Sequence, residues 1–145
     1  MNQAVHHFAR LVPGQPIHLV GFSGGAAIAA LIAARRQDVS SLRSVAGNLD
    51  TVGFNRLHRI TPMPESLNAI DVAPRLVNLP QIHFYGSNDR IVPVSIPQRF
   101  AQATAGHCAQ VIAVPGMSHG GGWAQRWPAL LAQSTRCGME SVHDQ

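Results

Sequence analysis

A single α/β domain with a mostly parallel sheet of about four strands and flanking helices is the fold class that this 145-residue sequence predicts. Three observations carry that expectation. The apolar run Ile17-His18-Leu19-Val20 ends on the turn Gly21-Phe22-Ser23-Gly24-Gly25 and passes without a spacer into an alanine-rich stretch at 26–31, which is the strand–turn–helix context of a G-x-S-x-G elbow. Further short apolar runs alternate with stretches of helical spacing, the pattern of a parallel sheet with right-handed crossovers. There are no internal repeats or low-complexity segments, so residues 1–145 read as one domain.

The elements follow in order. In residues 1–12 the apolar positions Ala4, Val5, Phe8, Ala9 and Val12 recur at helical spacing, as for a helix packed beside the next strand. Pro13-Gly14-Gln15-Pro16 is a turn, the elbow strand follows, and the helix after the elbow runs to about Arg35 and Arg36. Residues 42–46 read as the next strand. The stretch 51–64, rich in turn formers and polar residues, is expected to be a loop or lid over the site. A short helix is expected at 70–76, a buried strand at 80–85, a longer helix at 95–105, a strand at 108–114 and a last helix at 123–134.

The chemistry begins at Ser23. Side chains two positions either side of the serine would collide in so sharp a turn, which accounts for Gly21 and Gly25. The turn lifts the hydroxyl to the positive end of the following helix. A serine hydroxyl is a weak nucleophile at neutral pH, so the elbow requires a histidine base and a carboxylate to orient it. Asp89 lies in Gly86-Ser87-Asn88-Asp89-Arg90-Ile91-Val92-Pro93, directly after one predicted strand, and His119 lies in Gly116-Met117-Ser118-His119-Gly120, after another. In an open parallel sheet all three loops leave the same edge. Asp50, just after the 42–46 strand, is the second candidate for the acid.

Other residues read more plainly. Asn48 fits a hydrogen bond within its own turn. His6 and His7 are adjacent on the first helix, point apart and make no metal set. His83 falls inside a strand and reads as a satisfied core histidine, and Trp123 and Trp127, four apart on the last helix, read as packing residues.

With Ser23, Asp89 and His119 in that chain order, the sequence resembles the α/β-hydrolase superfamily of serine hydrolases and esterases over nearly its whole length. Ser23 matches the nucleophile, Asp89 in G-S-N-D-R-I-V-P the acid, His119 in G-M-S-H-G the base, and the Gly24 amide one oxyanion-hole donor. The stretches Ala46-Gly47-Asn48-Leu49-Asp50 and Ser66-Leu67-Asn68 are similar to bacterial members of unspecified substrate. The resemblance implies acyl transfer from a small carboxylic ester or related compound to water, with no metal and no organic cofactor. It also implies a partial fold. A full member has about four strands before the elbow strand, and the loop after its third supplies the second oxyanion donor. Only residues 1–12 precede the turn here, so this sequence looks like the C-terminal half to two-thirds of a hydrolase. That leaves the Ile17 to Val20 strand as a bare edge open to self-association or to a complementing chain. A catalytically impaired fragment and a non-catalytic ligand-binding module on the same scaffold are the alternatives.

Composition adds exclusions. Eleven arginines, no lysine and seven acidic residues give a formal charge of +4. The arginines are scattered without a run or aromatic interleaving, which argues against a nucleic-acid footprint, and the missing lysine removes Ser-Lys catalysis, Schiff-base chemistry and a phosphate-binding P-loop. Cys108 and Cys137 lack metal-site spacing. Cys108 reads as a core thiol at a strand start and Cys137 as a residue of the polar tail, with a bond between them the lesser expectation. No apolar run reaches membrane-spanning length and no signal-peptide core follows Met1, but neither cytoplasm nor periplasm is favoured.

Overall fold

A computed structural model of the chain describes residues 1–62 and 67–138. Its elements are α1 (Asn2–Leu11), β1 (Ile17–Phe22), α2 (Gly24–Arg35), β2 (Val39–Val45), α3 (Thr51–Leu57), a 3₁₀ helix (Ala69–Leu76), β3 (Gln81–Gly86), α4 (Ser95–Ala103), β4 (Ala109–Val114) and α5 (Trp123–Leu131). The four strands are parallel and lie in chain order β1-β2-β3-β4. That order carries the ends of β1, β3 and β4 to one edge of the sheet, where the elbow, the Asp89 loop and the His119 loop begin.

Strand alternation divides the core in two. Leu42 of β2 faces α2, the 3₁₀ helix and α4, and is buried with Leu49, Leu76, Val92, Ile96 and Phe100. Val45, Ile82, Phe84 and Val114 face the other way, against Leu130, Trp123 and Trp127 of α5. Small side chains let α2 approach the sheet closely: Ala26, Ala29, Ala30 and Ala33 are all buried beneath it.

His83 sits in the first of these layers with no exposed surface. Its Nδ1 lies 2.7 Å from Ser44 Oγ and its Nε2 2.9 Å from Gln81 Oε1. Both ring nitrogens are therefore satisfied by a neutral imidazole, and burial lowers its pKa from 6.5 to about 3. Between those two values the unfolded chain holds the extra proton and the folded chain does not, so stability falls as pH falls through that window. The slope is about 1.4 kcal/mol per pH unit. Chemical denaturation should show about 2 kcal/mol of this loss between pH 7 and pH 5, and His83→Gln should remove it; equal losses in both proteins would refute the assignment.

Three expectations are corrected. The 51–64 stretch is not a loop at its start: residues 51–57 form α3, because the Asp50 carboxylate caps it by accepting from the Gly53 amide at 3.0 Å. The last two residues of that stretch lie outside the described residues. Cys108 and Cys137 are bonded to each other, since the segment after α5 folds back along the start of β4 and Gly138 donates its amide to the His107 carbonyl. Gly25 is not sterically required. A Cβ there would meet nothing within 4 Å, whereas one at Gly21 would collide with the backbone of Ala26 and come within 2.5 Å of the Gly25 carbonyl.

β1 is an edge strand, and among the described residues no strand lies on its outer side. Val20 and Phe22 are about half exposed. On the α5 side they line an apolar groove of about 190 Å³ with Val45, Trp123, Ala124 and Trp127. On the other side Ile17 and Leu19 face Ala4, Val5, Phe8, Ala9 and Val12 of the N-terminal segment across a groove of about 400 Å³. α1 therefore lies across this groove from the elbow strand and buries no residue, so the packing that its spacing predicts is not made.

Candidate active site

Ser23 has φ 52° and ψ −121°, a backbone conformation costly for a residue with a Cβ and sustained only when its surroundings over-determine it. Three hydrogen bonds do so. The Ser23 amide donates to the Val45 carbonyl at 2.9 Å, and the Ser23 carbonyl accepts from the amides of Ala26 at 3.1 Å and Asn48 at 3.0 Å. The loop after β2 thus contributes to holding the elbow. Asn48 does this with its backbone, a role its side-chain chemistry does not announce.

From Ser23 a chain of hydrogen bonds runs inward. Its Oγ lies 3.0 Å from His119 Nε2, and His119 Nδ1 lies 2.9 Å from Asp89 Oδ2. With Nδ1 donating to the carboxylate, Nε2 is left to accept the serine proton. The other carboxylate oxygen, Oδ1, accepts the amides of Ile91 at 2.8 Å and Val92 at 2.9 Å. The Asp89 side chain is fully buried and the His119 side chain about one-fifth exposed. Asp89 is therefore shielded and fixed while His119 still reaches solvent. Gly24 opens α2, and the amides of a helix's first turn have no partner within the helix. Among the described residues no acceptor outside the helix takes the Gly24 N–H, which can therefore meet an anion beside Ser23.

The two loops carrying Asp89 and His119 are joined by hydrogen bonds. The Met117 carbonyl accepts from the Asn88 amide at 3.0 Å, and the Gly116 amide donates to Ser87 Oγ at 2.7 Å. A Cβ at Gly86 would collide with the Met117 carbonyl, so the end of β3 requires glycine. Trp123 adds a second restraint, its Nε1 donating to the carbonyls of His119 at 2.9 Å and Ser118 at 3.1 Å. It packs in the α5 core as its spacing predicts, but it also ties down the histidine loop. The Phe22 ring lies 5.5 Å from the His119 ring. The G-S-N-D-R-I-V-P motif hinted at Gly86; nothing in sequence spacing pointed to the Trp123 hydrogen bonds.

Asp50 stands in a different set of contacts. It is 2% exposed, caps α3, accepts from Asn68 Nδ2 at 2.9 Å and lies 3.3 Å from Arg99 Nη1. Every one of these partners is structural, and the structure brings Ser23, His119 and Asp89 together without it.

Residues 14–120 match the family described as Serine hydrolase (FSH1). No curated protein matches the chain. Among solved structures, an esterase domain from a Rhodothermus marinus protein superposes with a TM-score of 0.64 at 20% identity, covering 81% of this chain and 57% of its own. An alpha/beta hydrolase enzyme, MGS-MChE2, from the metagenome of lagoon sediments at Mar Chica, Morocco, gives 0.68 at 16% identity, covering 90% and 65%. An alpha-beta serine hydrolase homologue from Coxiella burnetii gives 0.59 at 26% identity, covering 88% and 52%. The chain thus spans between about half and two-thirds of the length of these structures.

Proposed function

Since the chain belongs to the Serine hydrolase (FSH1) family, we propose that it hydrolyses carboxylic esters or related small acyl compounds through Ser23, His119 and Asp89. His119 Nε2 takes the Ser23 proton as Oγ attacks the acyl carbonyl. The negative charge that develops on the carbonyl oxygen is met by the Gly24 amide at the start of α2. Buried Asp89 stabilises the imidazolium so formed. The proton then passes to the departing alcohol, leaving an acyl group on Ser23, and water repeats the attack with His119 again as base. The observation that supports this most is the unbroken run of contacts from Oγ to the doubly bonded carboxylate, at 3.0 Å and 2.9 Å.

The open side of β1 favours a second element of the reading. An unpaired edge flanked by apolar grooves on both faces is a surface that another stretch of polypeptide would cover, and such cover would also wall the site beside Phe22. Activity is then expected to depend on association with a second copy of the chain. One assay addresses both elements: turnover of a short-chain aryl ester, measured across protein concentration, for the wild type and Ser23→Ala. We expect specific activity that rises with concentration and vanishes in Ser23→Ala. Undiminished turnover in Ser23→Ala would refute the mechanism, and a specific activity independent of concentration would refute the association.

A further inference from the structure

We propose that His58 is a positioning residue for Asp89, acting through a single peptide group; this rests on the triad reading above. His58 follows α3, and its Nε2 lies 2.6 Å from the Ile91 carbonyl oxygen, to which it must be the donor. The carbonyl of Ile91 and the amide of Val92 belong to the same planar peptide unit. That Val92 amide donates to Asp89 Oδ1 at 2.9 Å. A hydrogen bond to the carbonyl oxygen fixes the plane in which the N–H points, and it polarises the N–H toward the carboxylate, since hydrogen bonds in series strengthen one another. The relay therefore begins one step earlier than the acid. It runs from the His58 imidazole through the peptide between Ile91 and Val92 to Asp89, His119 and Ser23.

His58 is well placed to hold that peptide. Its own amide donates to the Phe54 carbonyl at 3.0 Å, and its ring lies 4.5 Å from the Phe54 ring, which packs against the core. The other end of α3 is fixed by the buried Asp50 cap, by Asn68, which donates to Asp50 and accepts from the Thr51 amide at 3.0 Å, and by Arg99. α3 is thus anchored at both ends, and its C-terminal anchor is the acid loop. The helix that replaces the expected loop has a mechanical connection to the chemistry.

The test compares His58→Ala and His58→Gln with the wild type, because a glutamine amide can donate to the same carbonyl. We expect His58→Ala to lower kcat on a short-chain aryl ester, and the rate at which a fluorophosphonate labels Ser23, by about 3- to 10-fold, the range set by loss of one hydrogen bond. KM should stay within about twofold, the melting temperature should hold because His58 is exposed, and His58→Gln should recover most of the loss. Wild-type kcat and labelling in His58→Ala, or equal impairment in both variants, would overturn the proposal. A change confined to KM would assign His58 to substrate binding and overturn it as well. Undiminished labelling of Ser23→Ala would instead overturn the triad reading, and the proposal with it.

Discussion

Asp89→Asn is expected to lower turnover by about four orders of magnitude, the size of the effect when the orienting aspartate of a serine-protease triad is replaced. The geometry explains why the loss should be so large. In the variant, the amide oxygen would keep the bonds from Ile91 and Val92, and the NH₂ group would then face His119 Nδ1. That forces Nδ1 to accept and moves the imidazole proton to Nε2, where it points at Ser23 and cannot receive the serine proton. Asp50→Asn makes the opposite forecast. Asparagine is as good a helix cap as aspartate, so the Gly53 contact survives and the change removes chiefly the charge beside half-exposed Arg99. Stability should fall by about 1 kcal/mol, with kcat of the folded protein intact. Steady-state kinetics and thermal unfolding of the two variants side by side check this. Collapse of kcat in Asp50→Asn with survival in Asp89→Asn would move the acid to the loop after β2.

Gly21→Ala, like Gly86→Ala, should be highly disruptive for a single methyl group. The added carbon would overlap the backbone of Ala26 and press on the carbonyl of Gly25, and neither can swing aside as a side chain can. The start of α2 would have to shift away from β1, carrying the Gly24 amide and the strained Ser23 with it. We expect loss of stability of about 3 kcal/mol or more, the upper range for overpacking, with loss of activity in whatever remains folded. Gly25→Ala is the matched control. Its Cβ meets open space, and replacing a helical glycine by alanine restricts the unfolded chain, so its melting temperature should hold or rise slightly. Equal melting temperatures for the two variants would show that the elbow is not as tight as the structure has it.

What could be read from the sequence was whatever depends on local pattern. The strand-to-helix elbow, the alternation that makes the sheet parallel, and the post-strand loops holding Asp89 and His119 are all set by residues within a few positions of one another. The sequence placed each strand within three residues of its observed start. What escaped depends on partners far along the chain. α3 looked like a loop because its stability comes from Asn68 and Arg99 acting on the Asp50 cap, none of which its own composition records. The Cys108–Cys137 bond needs the tail to return past β4. Gly25 looked necessary by symmetry with Gly21, but only one side of the elbow meets backbone. The Trp123 hydrogen bonds to the histidine loop and the His58 bond to the acid loop are likewise tertiary contacts, invisible to periodicity.

Covalent labelling reads most directly whether Ser23 is a nucleophile activated by His119. The purified protein is treated with a fluorophosphonate, digested, and the adduct located by mass spectrometry, with Ser23→Ala and His119→Ala in parallel. A single adduct is expected on Ser23 in the wild type and none in Ser23→Ala, with labelling slowed by orders of magnitude in His119→Ala. An adduct of equal extent in Ser23→Ala, or labelling of Ser23 that does not depend on His119, would show that Ser23 is not a histidine-activated nucleophile.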